Sequence, residues 1–101
     1  NPGYVASKGG VRMLTKALAV DFGDRGIRVN CLVPGYIKTD MTINSFNDHH
    51  LSEQRLDRMI IKRWGNVQDL IGAAVFLISD ASSYVTGSDL IVDGGWTAKG
   101  L

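Results

Sequence analysis

Cysteine is almost absent from this 101-residue chain, with Cys31 standing alone. One thiol closes no intrachain disulfide and builds no thiolate metal cluster, so the sequence fits a reducing compartment, with the cytoplasm as the default. An excess of either charge is also missing. Eleven Lys+Arg against ten Asp+Glu give a formal net charge of +1, with acids and bases interspersed. That leaves no electrostatic footprint for nucleic acid or an anionic membrane, and neither is expected as a partner. No apolar run reaches the ~18 residues of a membrane span, and the opening Asn1-Pro2-Gly3-Tyr4 has the character of neither a secretory signal nor a targeting helix. Internal repeats, low-complexity tracts and a Gly-x-Gly-x-x-Gly phosphate turn are absent as well. So is an initiating Met, which leads to the expectation that the chain is a portion of a longer protein. A chain of this length buries roughly 65% of its extended surface, too little for a complete two-sided sheet with its helices.

What is present is punctuated by glycine and proline. From Tyr4 to about Asp24, Val11, Leu14, Leu18, Ala19 and Phe22 recur at spacings of three and four with no proline between them, which predicts a long amphipathic helix. Gly23 and Gly26 flank Asp24-Arg25 and supply a left-handed stop. Ile27 to Val33 then reads as a short strand covered on both faces, ended by Pro34-Gly35. Tyr36 to Ser52 is polar and without period, the pattern of a long loop. A second helix is expected over about Ser52 to Lys62. A third opens with Asn66 as N-cap and Asp69 three residues on, burying Leu70, Ile71, Ala74, Val75, Leu77 and Ile78. Leu90 to Asp93 is a second strand, closed by Gly94-Gly95. Two apolar strands separated by more than fifty residues of helix and loop require a crossover, so they are parallel and the class is α/β.

Tyr4 and Lys8 lie four apart at the start of the first helix, on one face and one turn from each other. Phenols ionise near pH ~10, and a neighbouring ammonium favours the phenolate, so such a pair has the ingredients of acid/base chemistry. Taken alone, it reads more readily as a first-turn aromatic beside an exposed lysine.

The segments Tyr4-Val5-Ala6-Ser7-Lys8-Gly9-Gly10, Gly26-Ile27-Arg28-Val29-Asn30, Pro34-Gly35-Tyr36-Ile37-Lys38-Thr39, Thr86-Gly87 and Val92-Asp93-Gly94-Gly95 occur in one order and spacing. Together they resemble the C-terminal part of the short-chain dehydrogenase/reductase family, over essentially the whole chain. The resemblance implies that residues 1–101 are the C-terminal portion of one Rossmann-type, doubly wound parallel-sheet domain, with the N-terminal cofactor-binding half outside this sequence. It implies NAD or NADP as cofactor, and a secondary alcohol or ketone as substrate. The sequence around Arg63-Trp64-Gly65 and Val92 to Trp96 looks most like enzymes of sugar acids and polyols. Tyr4 would be the catalytic acid or base, and Lys8 would support it and hold the nicotinamide ribose. Pro34 and Gly35 would form the turn beside the nicotinamide. Main-chain groups of Ile37 would hold the carboxamide, and the Thr39 hydroxyl would contact the carboxamide or pyrophosphate, or cap the following helix. Asp40 to Leu51 would cover the substrate. The long helix and the third helix with the last strand would form two dimer interfaces of a homotetramer.

Other conspicuous residues read as structural. Ser7 and Gly9-Gly10 are expected to pack the helix, and Trp64 and Trp96 to be buried between helix and sheet. Asp93 is expected to have a structural role, in its turn or at a subunit contact. Asp48-His49-His50 lacks a third ligand at useful spacing, so no metal is expected. A second functional reading, of another class, is a noncatalytic piece serving only as an association module.

Overall fold

The computed structural model describes residues 2–99. In chain order these form α1 (Pro2–Phe22), a 3₁₀ turn (Gly23–Arg25), β1 (Cys31–Pro34), α2 (Ile43–Asn47), α3 (His49–Asp57), α4 (Gln68–Ile78), a second 3₁₀ turn (Asp80–Ser82), β2 (Asp89–Val92) and α5 (Trp96–Lys99). β1 and β2 pair as a two-stranded sheet. Its register advances in the same direction on both strands, with Cys31 N–H on the Ser88 carbonyl and Gly35 N–H on that of Val92, so the pair is parallel. The α/β class read from the sequence is the one observed. The described residues divide into two compact units, residues up to Leu32 with Ala74–Leu90, and Val33–Ala73 with the residues from Ile91.

In the first unit α1 runs as expected and stops where the glycines stand. Gly26, at φ 72°, donates its N–H to the Gly23 carbonyl, the left-handed closure that side chains with a Cβ rarely adopt. The buried stripe differs from the expected one. Thr15 and Ala19 are the buried positions, whereas Val11 and Leu14 are more than half exposed. Small side chains allow close approach: a Cβ on Gly87 would lie 3.5 Å from that of Ala19. Alongside, Arg12 places Nε and Nη2 on Asp89 Oδ2 at 3.0 and 2.8 Å, and Lys16 Nζ reaches the Gly87 carbonyl. The Arg12 hydrogen bonds lower the Asp89 pKa below the ordinary carboxylate value against the opposing effect of burial.

β1 begins at Cys31, four residues later than the sequence suggests, and its first three residues are only part-buried while Pro34 is exposed. Before β1, the Val29 carbonyl still accepts from Gly87 N–H, but Val29 N–H turns to the Thr86 hydroxyl, and the side chains of Arg28 and Asn30 take over the neighbouring groups. The Arg28 guanidinium donates to the carbonyls of Leu77, Ser79 and Val85 and to Ser82 Oγ, closing the end of α4. Asn30 donates to the Val85 carbonyl and accepts from Ser88 N–H. These side-chain bonds occupy the acceptors and donors that a ladder would use.

The second unit corrects the expected loop. Where residues 36–52 read as aperiodic, α2 and α3 form, the latter started by Asp48, whose carboxylate accepts from Leu51 N–H at 3.1 Å. α3 also ends at Asp57, before the expected Lys62. Met59 and Trp64 are buried beneath, and Trp64 Nε1 donates to Ser52 Oγ of α3 at 3.1 Å. At the start of α4 the expected pairing of Asn66 with Asp69 is observed, made through the acidic partner. Asp69 Oδ2 accepts from Asn66 N–H at 2.7 Å, which is the acidic half of a capping box. Along α4, Leu70, Ala73, Ala74 and Leu77 are part-buried, while Ile71, Val75 and Ile78 are exposed. β2 runs Asp89–Val92, one residue earlier than expected. No helix among the described residues is long and apolar enough to cross a membrane.

Candidate functional site

Tyr4 and Lys8 occupy the first turns of α1, so the helical repeat sets them on one face. Lys8 Nζ stands 5.3 Å from the centroid of the Tyr4 ring, a cation–π distance, and Tyr4 is 60% exposed. A cation and a phenol in contact on an accessible helix face can hold an incoming polar group between them. Ser7 lies on the exposed helix surface and donates its hydroxyl to the Tyr4 carbonyl at 2.9 Å, a local backbone bond rather than the expected packing. Gly9 and Gly10 likewise open onto space, with nothing within 4 Å of where a Cβ would stand.

In the second unit the turn from Pro34 to Thr39 is fixed mainly through its backbone. Gly35 N–H donates to the Val92 carbonyl at 3.0 Å. Gly65 N–H donates to Tyr36 O at 2.9 Å, and Lys38 N–H to Gly65 O at 2.8 Å, a parallel bridge that centres on Ile37. Gly35 is required by close approach, because its Cβ would lie 2.6 Å from the Asp93 Cβ and 2.7 Å from its Cα. The far side of the turn is locked by Thr42, which sequence reasoning misses. Its hydroxyl donates to the Ile37 carbonyl at 2.6 Å and accepts from Thr39 N–H at 2.8 Å. Thr42, not Thr39, stands at the N-cap position of α2. Thr39 pairs its hydroxyl with that of Thr42 at 3.3 Å, so its expected capping role is not observed. Among the described residues the Ile37 N–H meets no acceptor. A backbone donor left open beside a glycine is a suitable seat for a planar carboxamide.

Around this turn the aromatic residues form one cluster. Tyr36 lies 5.5 Å from both Trp64 and Trp96, and Phe46 meets Trp64 edge-on at 5.4 Å. Trp64 is thus buried among rings rather than between helix and sheet, and Trp96 is part-buried against Tyr36. Two cations sit on the cluster, Lys38 Nζ at 4.4 Å from Phe46 and Arg55 Cζ at 4.5 Å from Tyr36 and 5.5 Å from Trp64. Beneath the turn is a cavity of about 150 Å³ whose lining includes Ile37, Met59, Arg63 and Asp69. Asp93 does hold its turn, accepting from Gly95 N–H at 2.9 Å, Thr97 N–H at 3.0 Å and the Thr97 hydroxyl. Burial pushes its carboxyl up, but these donors outweigh burial and leave it below the ordinary value. His49 and His50 begin α3, and His50 Nε2 lies 3.3 Å from Gln54 Nε2. Among the described residues no group of His, Cys, Asp and Glu could hold a metal ion.

The family described as enoyl-(acyl carrier protein) reductase matches residues 1–97. The chain is 48% identical over 98 residues to 2-dehydro-3-deoxy-D-gluconate 5-dehydrogenase of Pseudoalteromonas atlantica, covering 97% of this chain and 39% of that protein. It is 49% identical over 94 residues to galactitol 2-dehydrogenase (L-tagatose-forming) of Cereibacter sphaeroides, covering 93% and 37%. The solved gluconate 5-dehydrogenase from Burkholderia cenocepacia, in complex with NADP and tartrate, superposes with a TM-score of 0.91 at 45% identity, over 94% of this chain and 37% of that one. The chain therefore spans about two fifths of the length of the relatives it matches. Matched over nearly its whole length by family, sequence and fold, the chain belongs to the short-chain dehydrogenase/reductase family.

Proposed function

We propose that residues 1–101 are the C-terminal portion of one NAD(P)-binding Rossmann-type domain and supply the catalytic and substrate-binding end of an NAD(P)-dependent oxidoreductase. Its substrate class is a secondary alcohol or the corresponding ketone of a sugar acid or polyol. The observation that carries this reading is the Tyr4–Lys8 contact, 5.3 Å from ammonium to ring centroid on an accessible helix face. A nicotinamide cofactor, when bound, would supply the hydride acceptor for oxidation and the hydride donor for reduction. In oxidation Tyr4 Oη, as phenolate, takes the substrate hydroxyl proton while the carbinol carbon gives up its hydride, and in reduction Tyr4 donates that proton to the carbonyl oxygen. Lys8 holds positive charge beside the phenol and donates to the ribose. Ile37 N–H, open among the described residues, binds the carboxamide at the Pro34–Gly35 turn, and the Thr39 hydroxyl adds a polar contact there. The names of the relatives, enzymes of a deoxyketogluconate, galactitol and gluconate, support the substrate class. NAD and NADP both fit this reading, as does a cytoplasmic, homotetrameric protein.

The test is made in the complete enzyme that contains this chain. Tyr4→Phe is expected to lower kcat by a factor on the order of 10² or more with cofactor affinity nearly unchanged, whereas Lys8→Ala weakens cofactor binding as well. Near wild-type kcat in Tyr4→Phe would sink the assignment, and absence of cofactor binding would favour the association-module reading.

A further inference from the structure

We propose that Arg55 is the residue that selects acidic substrates: its guanidinium, seated on the Tyr36 and Trp64 rings, binds the carboxylate of a hydroxy acid beyond the carboxyl end of β1. This rests on the oxidoreductase reading above and names the residue that sets its substrate class.

The guanidiniums of this chain are used in contrasting ways. Arg12 grips Asp89, Arg63 grips Asp69, and Arg28 is saturated by four oxygens. Arg55 is part-buried too, yet among the described residues its N–H groups meet no carboxylate and no other acceptor. Its partners are ring faces, 4.5 Å away at Tyr36 and 5.5 Å at Trp64. A guanidinium held over ring faces keeps N–H groups that no protein acceptor takes, and such a fork can meet a carboxylate with two parallel bonds. Withdrawing a cation from water without a counter-charge is costly, and an anionic ligand would supply what the chain itself does not.

Placement points the same way. Tyr36 follows Pro34–Gly35 directly, so the cation stands at the end of β1, and ligands of open α/β sheets bind beyond the carboxyl ends of the strands. The support is rigid. Trp64 is buried and bonded to Ser52, one turn before Arg55 on α3, and Asp48 caps the start of that helix. Lys38 adds a second cation on Phe46 of the same aromatic cluster. A carboxylate arriving at Arg55 meets a guanidinium already in place, and little ordering remains to be done on binding.

The experiment compares D-gluconate with D-glucitol, which carries a hydroxymethyl group in place of the carboxylate, in the complete enzyme and its Arg55→Gln and Arg55→Lys variants. Wild type is expected to prefer gluconate. Arg55→Gln should lower kcat/KM for gluconate on the order of 10²-fold, mainly through KM, while glucitol changes less than about threefold. Arg55→Lys, which keeps the charge and loses the fork, should fall between them. Thermal melts of each variant separate this from unfolding, with Arg55→Lys as the variant that preserves charge and length. Equal losses on both substrates, or none on gluconate, overturn the role of Arg55 and leave the oxidoreductase reading standing. A folded wild type that does not favour the acid overturns it as well. Failure of the underlying reading shows separately, as unchanged kcat in Tyr4→Phe.

Discussion

Arg63 meets Asp69 with two nitrogens at once, Nη1 to Oδ2 at 2.7 Å and Nη2 to Oδ1 at 2.9 Å, and the same carboxylate receives Asn66 N–H at the start of α4. The Arg63 hydrogen bonds first, and the Asn66 N–H second, hold the Asp69 carboxyl down to about 2. An unfolded Asp titrates near ~3.9. Because the folded value is the lower one, the pair's contribution to stability is complete above the unfolded value and is lost as pH falls toward about 2. Urea midpoints of wild type and Asp69→Asn, followed from pH ~5 to ~2, are therefore expected to converge on acidification. Parallel curves would show that the pair does not couple to folding.

Gly35 against Asp93 is a contact between backbones, which no rotamer change can relieve. A Cβ added at Gly35 would meet the Asp93 Cβ at 2.6 Å, its Cα at 2.7 Å and its carbonyl oxygen at 3.1 Å. Gly35→Ala is expected to cost about 1–3 kcal/mol by forcing the two turns apart. In the complete enzyme it should also weaken cofactor binding, because Ile37 N–H moves with the turn. Chemical denaturation and a cofactor titration check the two halves of this prediction. A variant unchanged in both would mean that the turn shifts freely.

The parts of this protein that are legible in its sequence are those whose cause is local. α1 shows its period over twenty-one residues, and the glycine that closes it is visible at Gly26. Tyr4 and Lys8 are found by spacing alone, because one helical turn suffices to bring them together. α2 and α3 are not legible, since five and nine mostly polar residues carry no apolar period. Their support comes from Asp48 at the cap and from the distant Trp64, which binds Ser52 and meets Phe46 edge-on. Thr42 and Arg55 escape for the same reason, as each takes its role from a partner placed by the fold. The late start of β1 depends on Arg28 and Asn30 reaching residues some fifty positions away, which no window along the chain reports.

Assembly tests the apolar surface that the chain leaves uncovered. On α4, Ile71 and Val75 lie one turn apart, 54% and 53% exposed, and Ile78 is 83% exposed, although the helix period marks all three for burial. Fully burying a Val or Ile side chain contributes about 1.5–3 kcal/mol, and a twofold interface counts each residue twice. Covering this face by a second copy would thus contribute several kcal/mol toward association. We propose, as the family resemblance implies, that α4 with β2 forms one dimer interface and α1 the other. Breaking only the first should therefore leave dimers rather than monomers. In the complete protein, Ile71→Glu with Val75→Glu is expected to convert a tetramer into a folded dimer, read as a halved mass by light scattering with circular dichroism unchanged. A wild type that is monomeric, or a double variant that stays tetrameric, would remove α4 from the interface.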